Sequence, residues 1–186
     1  LQLKGLTVVH TALPRVAWDR PQRAFGAAGA AVHLTGAEHC RVASCTFRHL
    51  SGNAVRMNGH ARRNQVHECT IAEIGGAGIS LGGGLKDPEA PCAHNRVTRN
   101  HIHHCGTLYW HSSAIAGGLS EKTVIRHNQI HDMPYVAIST SGQRHRWFAG
   151  WPRRREDLIA FWEERGEGAP TIVKVKAFLP GYNRIE

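Results

Sequence analysis

Asn95-Arg96-Val97-Thr98-Arg99-Asn100-His101-Ile102-His103-His104 is the stretch from which the rest of the chain is read. Its frame is an apolar residue, two polar residues, a small or amide residue, one polar residue and a second apolar residue: Val97, Asn100, Ile102. The frame recurs as Leu3, Leu6, Val8; as Val42, Cys45, Phe47; as Val66, Cys69, Ile71; and as Ile125, Asn128, Ile130. A glycine, proline or histidine turn follows each copy. At the C-terminal end, Asn183-Arg184-Ile185 matches Asn64-Gln65-Val66 and Asn95-Arg96-Val97, so a sixth copy begins there.

From Val42 to Val66 is 24 residues, from Val66 to Val97 31, and from Val97 to Ile125 28. That period is typical of solenoids. Within each copy the apolar residues alternate two apart, and a second alternating segment follows each turn: Val32-His33-Leu34, Val55-Arg56-Met57, Ile79-Ser80-Leu81, Ile115-Ala116-Gly117 and Ile138-Ser139-Thr140. Alternation is the strand period, so each unit is two or three short strands. Short strands that cannot bury an apolar face alone do so by stacking, each coil ~4.8 Å above the last. The expected fold is all-β, a right-handed single-stranded parallel β-helix of about five coils. Cys45, Cys69, Asn100 and Asn128 should form an inward column at a bend. Asparagine suits a bend because it tolerates the left-handed backbone region, and its stacked amides can bond along the column.

The chain has 186 residues, with 23 Lys and Arg against 14 Asp and Glu, a net charge of +9. One domain over residues 1–186 is expected, as a segment of a longer solenoid whose remaining coils lie beyond it. The charge favours an acidic partner. Nucleic acid is not expected, because the basic residues are scattered through turns and Arg153-Arg154-Arg155 reads as a solvated face. No membrane-length apolar run is present, and no membrane partner is expected. The 14 histidines show no paired metal-ligand spacing, so neither metal nor cofactor is expected. Five cysteines, at 40, 45, 69, 92 and 105, lack the spacing of a disulfide framework and read as buried thiols.

Two departures interrupt the repeats. His10 to Ala30, with Trp18, leaves the solenoid as a loop that either shapes a groove or caps the stack. After Ile138-Ser139-Thr140 an insertion spans about 142–180. There Leu158, Ile159, Phe161 and Trp162 share one face of a helix over Arg153 to Arg165, and Thr171 to Phe178 alternates as a strand. This small α/β insertion is expected to fold over the side of the solenoid, as a lid or as a cover for a coil edge.

With the repeats laid out, the sequence resembles the bacterial right-handed parallel β-helix repeat proteins that act on carbohydrates. The likeness is greatest to the β-helix glycoside hydrolases, on a pectate-lyase-like scaffold. Cys45-Thr46-Phe47-Arg48-His49-Leu50-Ser51-Gly52, Asn100 to Gly106 and Asn128 to Ser139 carry the resemblance, which covers roughly 1–142 and the last few residues. The Asn-Gly-x-Glu segment of one alginate-lyase group is replaced here by Asn58-Gly59-His60-Ala61. The scaffold hosts hydrolases, lyases, epimerases and adhesive stalks, so the reaction must be argued from residues. The resemblance implies a polysaccharide or oligosaccharide partner and an extracellular or periplasmic location.

Two columns are candidates for chemistry. The outward positions after each turn are His33, Arg56, Ser80, Ala116 and Ser139, which include no carboxylate. The preceding turn stacks His10, His49, Glu73, His104 and Asp132, with His103 and His131 beside them. Glu73 and Asp132 fall two coils apart, ~9–10 Å by strand spacing, near the upper limit for the carboxylate pair of an inverting glycosidase. His104 falls between them. Asp132, Glu73 and His104 are the catalytic candidates. His33, Arg56, His131, Trp110, Tyr135, Trp147 and Trp151 are the substrate-binding candidates. Asp132 is expected to be partly shielded from water. Glycosidic hydrolysis is the leading expectation. Elimination or epimerisation at a uronate, with His104 or His131 as base and Arg56 as cation, is the first alternative, and a non-catalytic solenoid is the second.

Overall fold

The computed structural model describes residues 1–11, 29–82, 92–118, 120–141 and 184–185. The loop around Trp18 and the insertion over 142–180, with its expected helix and with Trp147 and Trp151, lie outside the described residues. All assigned regular structure within them is strand, and every pairing is parallel.

Three walls run the length of the molecule. The first stacks Gln2–Lys4, Arg41–Ala43, Gln65–His67, Arg96–Thr98, Val124–Arg126 and Arg184–Ile185. The last of these pairs Ile185 with Ile125, so the sixth copy of the repeat takes its place in the stack. Thr7–Thr11, Thr46–Leu50, Thr70–Ile74, His101–Cys105 and Gln129–His131 form the second wall. The third comprises Ala30–Thr35, Asn53–Asn58, Ile79–Leu81, Ile115–Gly118 and Ile138–Ser141. Five coils and the start of a sixth make a right-handed parallel β-helix, as the period and alternation require.

Register follows from the apolar frame, because a one-residue slip would turn every inward side chain outward. Val42, Val66, Val97 and Ile125 are consecutive partners in the first wall, and Phe47, Ile71 and Ile102 in the second. All seven are almost fully buried. Each such side chain contributes roughly 1.5–3 kcal/mol by leaving water, which is why a strand of three residues is stable only inside the stack. Between the second and third walls the coils approach closely. A Cβ on Gly78 would sit 2.8 Å from the Ala114 carbonyl oxygen and 2.9 Å from Ile102 Cγ2, so only glycine fits there.

The bends differ from expectation in one respect. Asn100, Asn128, Cys45 and Cys69 do form the inward column, but they do not take the left-handed conformation. The residue before each one does: Ser44 (φ 50°), Glu68 (54°), Arg99 (57°) and His127 (55°). His39, Arg63, His94 and Lys122 do the same before Cys40, Asn64, Asn95 and Thr123. Asparagine is present for its amide. Asn100 Oδ1 accepts from Cys69 N–H at 3.0 Å, and its Nδ2 donates to the Val66 carbonyl at 3.1 Å. Asn128 repeats this with Asn100 N–H and the Val97 carbonyl. The thiols of Cys69 and Cys45 reach the equivalent carbonyls, Val42 and Leu3, at 3.7 Å. A second ladder joins Asn64 to Asn95 at the next bend. All five cysteines are free thiols.

Candidate functional site

In the second wall, strand alternation sends Phe47, Ile71, Ile102 and Ile130 inward and their neighbours outward. The register puts Thr46, Thr70, His101 and Gln129 in one outward row, and Arg48, Ala72, His103 and His131 in the next. A left-handed residue closes each strand: His10 (φ 55°), His49 (51°), Glu73 (56°), His104 (51°) and Asp132 (50°). That is the column expected from sequence. Its backbone conformation aims successive polar side chains over the edge of the same face.

The column does not act as one unit. At its lower end the His10 and His49 rings stack at 5.2 Å, and His49 Nδ1 donates to Glu73 Oε2 at 2.9 Å. At its upper end four imidazoles gather around Asp132. His131 Nδ1 donates to Asp132 Oδ2 at 2.7 Å, and His131 Nε2 meets His101 Nε2 at 2.7 Å. His103 lies flat against His131, with centroids 4.9 Å apart and planes 5° apart, and its Nδ1 meets His104 Nδ1 at 2.8 Å. His104 stands between Glu73 and Asp132 in the column, as expected. Its ring bonds to His103, while Glu73 is tied to His49 and Asp132 to His131.

Electrostatics sharpen this division. The hydrogen bond from His131 holds the Asp132 carboxyl below its ordinary range, helped by the charges of His131, His104 and His103. Asp132 is therefore a carboxylate that orients an imidazole, not a carboxylic acid waiting to donate. It is also exposed, with 60 % of its side-chain surface accessible, so the expected shielding is absent. Burial lowers the pKa of His103, and His101, His131, His104 and Arg48 lower it further by like charge.

The substrate-binding candidates fall in different places. His33, Arg56, Ser80, Ala116 and Ser139 are consecutive partners, but on the third wall. Ser80 and Ala116 are buried, so this column is not an open face along its length. His33 Nε2 bonds Asn58 Oδ1 at 3.1 Å, and Ser113 Oγ donates to Ser139 Oγ at 2.8 Å. Arg56 thus stands on another wall from His131 and His104. The cation that belongs with the imidazoles is Arg48, partner of Ala72 in the row of His103 and His131.

Trp110 and Tyr135 are both exposed and are brought together by His111. The His111 ring lies 3.6 Å from that of Trp110 and meets Tyr135 edge-on at 5.5 Å. Their loop is anchored on the third coil, where Leu108 N–H and Tyr109 N–H both donate to the Gly75 carbonyl. The aromatic group directly follows the strands that carry His101, His103 and His131. His101 and Arg48 were legible as site residues, since each flanks an inward apolar residue with period two.

Among the described residues no group of three or more His, Cys, Asp or Glu side chains is placed to hold a metal ion. The His101 and His131 rings meet end to end, with centroids 5.0 Å and Nε2 atoms 2.7 Å apart. Two metal–imidazole bonds of ~2.0–2.1 Å each cannot be placed between nitrogens aimed head-on at that separation, so the contact is an N–H···N hydrogen bond.

The family model described as a right-handed β-helix region matches residues 30–147. No curated protein and no solved structure matches the chain.

Proposed function

The chain belongs to the right-handed β-helix family, and from that premise we propose that it is a carbohydrate-active β-helix whose second wall binds and cleaves an acidic polysaccharide by elimination. One observation carries this reading. Imidazoles oriented by a carboxylate, with Arg48 in their row, lie on one outward face, and the exposed Trp110–His111–Tyr135 group stands in the loops that follow the strands carrying them. Elimination from a uronate needs a base for the proton α to the carboxyl and a cation for the carboxylate. The imidazoles and Arg48 are residues of those types. The aromatic rings offer faces to the C–H groups of a sugar, and the net charge of +9 favours a polyanion. An extracellular or periplasmic location, where such polymers occur, is part of the same proposal.

Hydrolysis is the second reading, and it draws on Glu73 and Asp132 sharing one column two coils apart. It is weaker, because a hydrolase needs a carboxyl held protonated, and Asp132 is shifted the other way. The test is a panel of neutral and uronate-containing polysaccharides, followed for new reducing ends and for the ultraviolet absorbance of unsaturated products. Unsaturated product from uronates supports elimination. Reducing ends without absorbance support hydrolysis, and binding without either indicates a non-catalytic solenoid.

A further inference from the structure

We propose that Asp132, His131 and His101 form one proton relay whose basic end is Nδ1 of His101, and that His101 is the group that takes the substrate proton. The relay follows from hydrogen-bond chemistry alone; the catalytic role of His101 also rests on the elimination reading above.

With both imidazoles neutral, donor and acceptor roles are set along the chain of contacts. An ionised carboxylate only accepts, so the 2.7 Å contact between Asp132 Oδ2 and His131 Nδ1 requires a proton on that nitrogen. A neutral His131 then has a lone pair at Nε2. The 2.7 Å contact with His101 Nε2 therefore requires the proton on His101 Nε2, which leaves the lone pair of His101 at Nδ1. Were both rings protonated, two N–H groups would face each other head-on and the contact would be lost.

In the elimination, Nδ1 of His101 takes the proton α to the uronate carboxyl. The electron pair of that C–H bond becomes the new double bond, and the C–O bond to the leaving sugar breaks. The leaving oxygen takes a proton from water. The proton on His101 Nε2 shifts toward His131 Nε2, and the positive charge spreads onto the ring that Asp132 holds. Asp132 and His131 are positioning residues in this scheme, and His101 touches the substrate.

Nitrogen-15 NMR of histidine-labelled protein reads the relay without any substrate. At a pH about two units above the ordinary histidine value, His131 should be the Nδ1–H tautomer and His101 the Nε2–H tautomer. Asp132→Ala should return His131 to the Nε2–H form. A wild-type His131 that carries its proton on Nε2 overturns the relay. In the kinetic arm, His101→Gln keeps a hydrogen-bonding side chain beside His131 and should lower kcat on the uronate substrate about 10²- to 10⁴-fold with KM unchanged. Unchanged turnover in that variant, with the tautomers as expected, overturns His101 as base and leaves the carbohydrate reading intact. Absence of unsaturated product from the wild type sinks the elimination reading and the role of His101 in it, while the spectrum still decides the relay.

Discussion

Asn100 and Asn128 stack in consecutive coils, with Asn100 Nδ2 donating to Asn128 Oδ1 at 2.9 Å. Asn100 is 1 % exposed, and it also satisfies the Cys69 N–H and the Val66 carbonyl of the coil beneath. Asn100→Ala strands two buried backbone groups where no side chain replaces the amide. Each unsatisfied group costs about 1–3 kcal/mol, so the variant should lose on the order of 3 kcal/mol. Urea denaturation followed by circular dichroism measures this, and a loss below about 1 kcal/mol would show that water fills the gap.

The left-handed residues before the bend column predict the opposite sign. Arg99 holds φ 57° and its side chain is 64 % exposed, with Glu68 no closer than 3.9 Å. A non-glycine residue in this region costs roughly 1–2 kcal/mol, and glycine gives back about 0.5–1 kcal/mol through its freer unfolded chain. Arg99→Gly should therefore stabilise by up to about 1 kcal/mol. A fall in melting temperature would mean that the Arg99 side chain holds the bend by contact.

The sign of the histidine shift sets the response to acid. The pKa of His103 in the fold lies below its ordinary value of 6.5, so the unfolded chain takes up that proton first. Stability should fall as pH drops through about 6.5, and the penalty is complete below the folded value. Asp132 is depressed from 3.8 and contributes stability above that pH, lost as pH falls through its folded value. His103→Gln should flatten the upper limb of the melting curve against pH and leave the lower limb. An unchanged upper limb would assign it to another histidine.

Burial protects the thiols. Desolvation pushes Cys105 up to about 12 and Cys69 up to about 11, and raises Cys92 as well. Iodoacetamide should leave these three unmodified in the folded protein and label them in denaturant, since the thiolate is the nucleophile. Labelling of Cys105 under native conditions would show that the fourth coil opens.

The fold was legible because one frame repeats with a two-residue period, and register is over-determined wherever Val97, Ile102 or Ile71 must face inward. The stacking of His10, His49, Glu73, His104 and Asp132 came from the same arithmetic. Which partner each polar side chain chooses did not, because register fixes where Cβ atoms lie and not how imidazole rings turn. His101 and His131 are diagonal neighbours, since His131 pairs with His103 and His101 with Gln129, so no row alignment predicts their contact. Arg56 was named as the cation from the outward row of the strand after each turn, while the catalytic candidates came from the turn before it. Ser80 and Ala116 are buried on that face, so it is not open along its length, and Arg56 stands on a different wall from His104 and His131.

Glu73 separates the two chemistries. It accepts from His49 at 2.9 Å and is 47 % exposed at its side chain, whereas Asp132 pairs with His131. In an elimination carried by His101 it only holds His49 in place. Glu73→Gln keeps an acceptor oxygen for His49 Nδ1, so turnover on a uronate polymer should stay within about threefold of wild type while His101→Gln removes it. In a hydrolysis carried by the two carboxylates the order reverses. Glu73→Gln would then lower kcat about 10²-fold or more, and His101→Gln would change little. Assaying both variants on one substrate therefore decides whether the second wall works through its imidazoles or through its carboxylates.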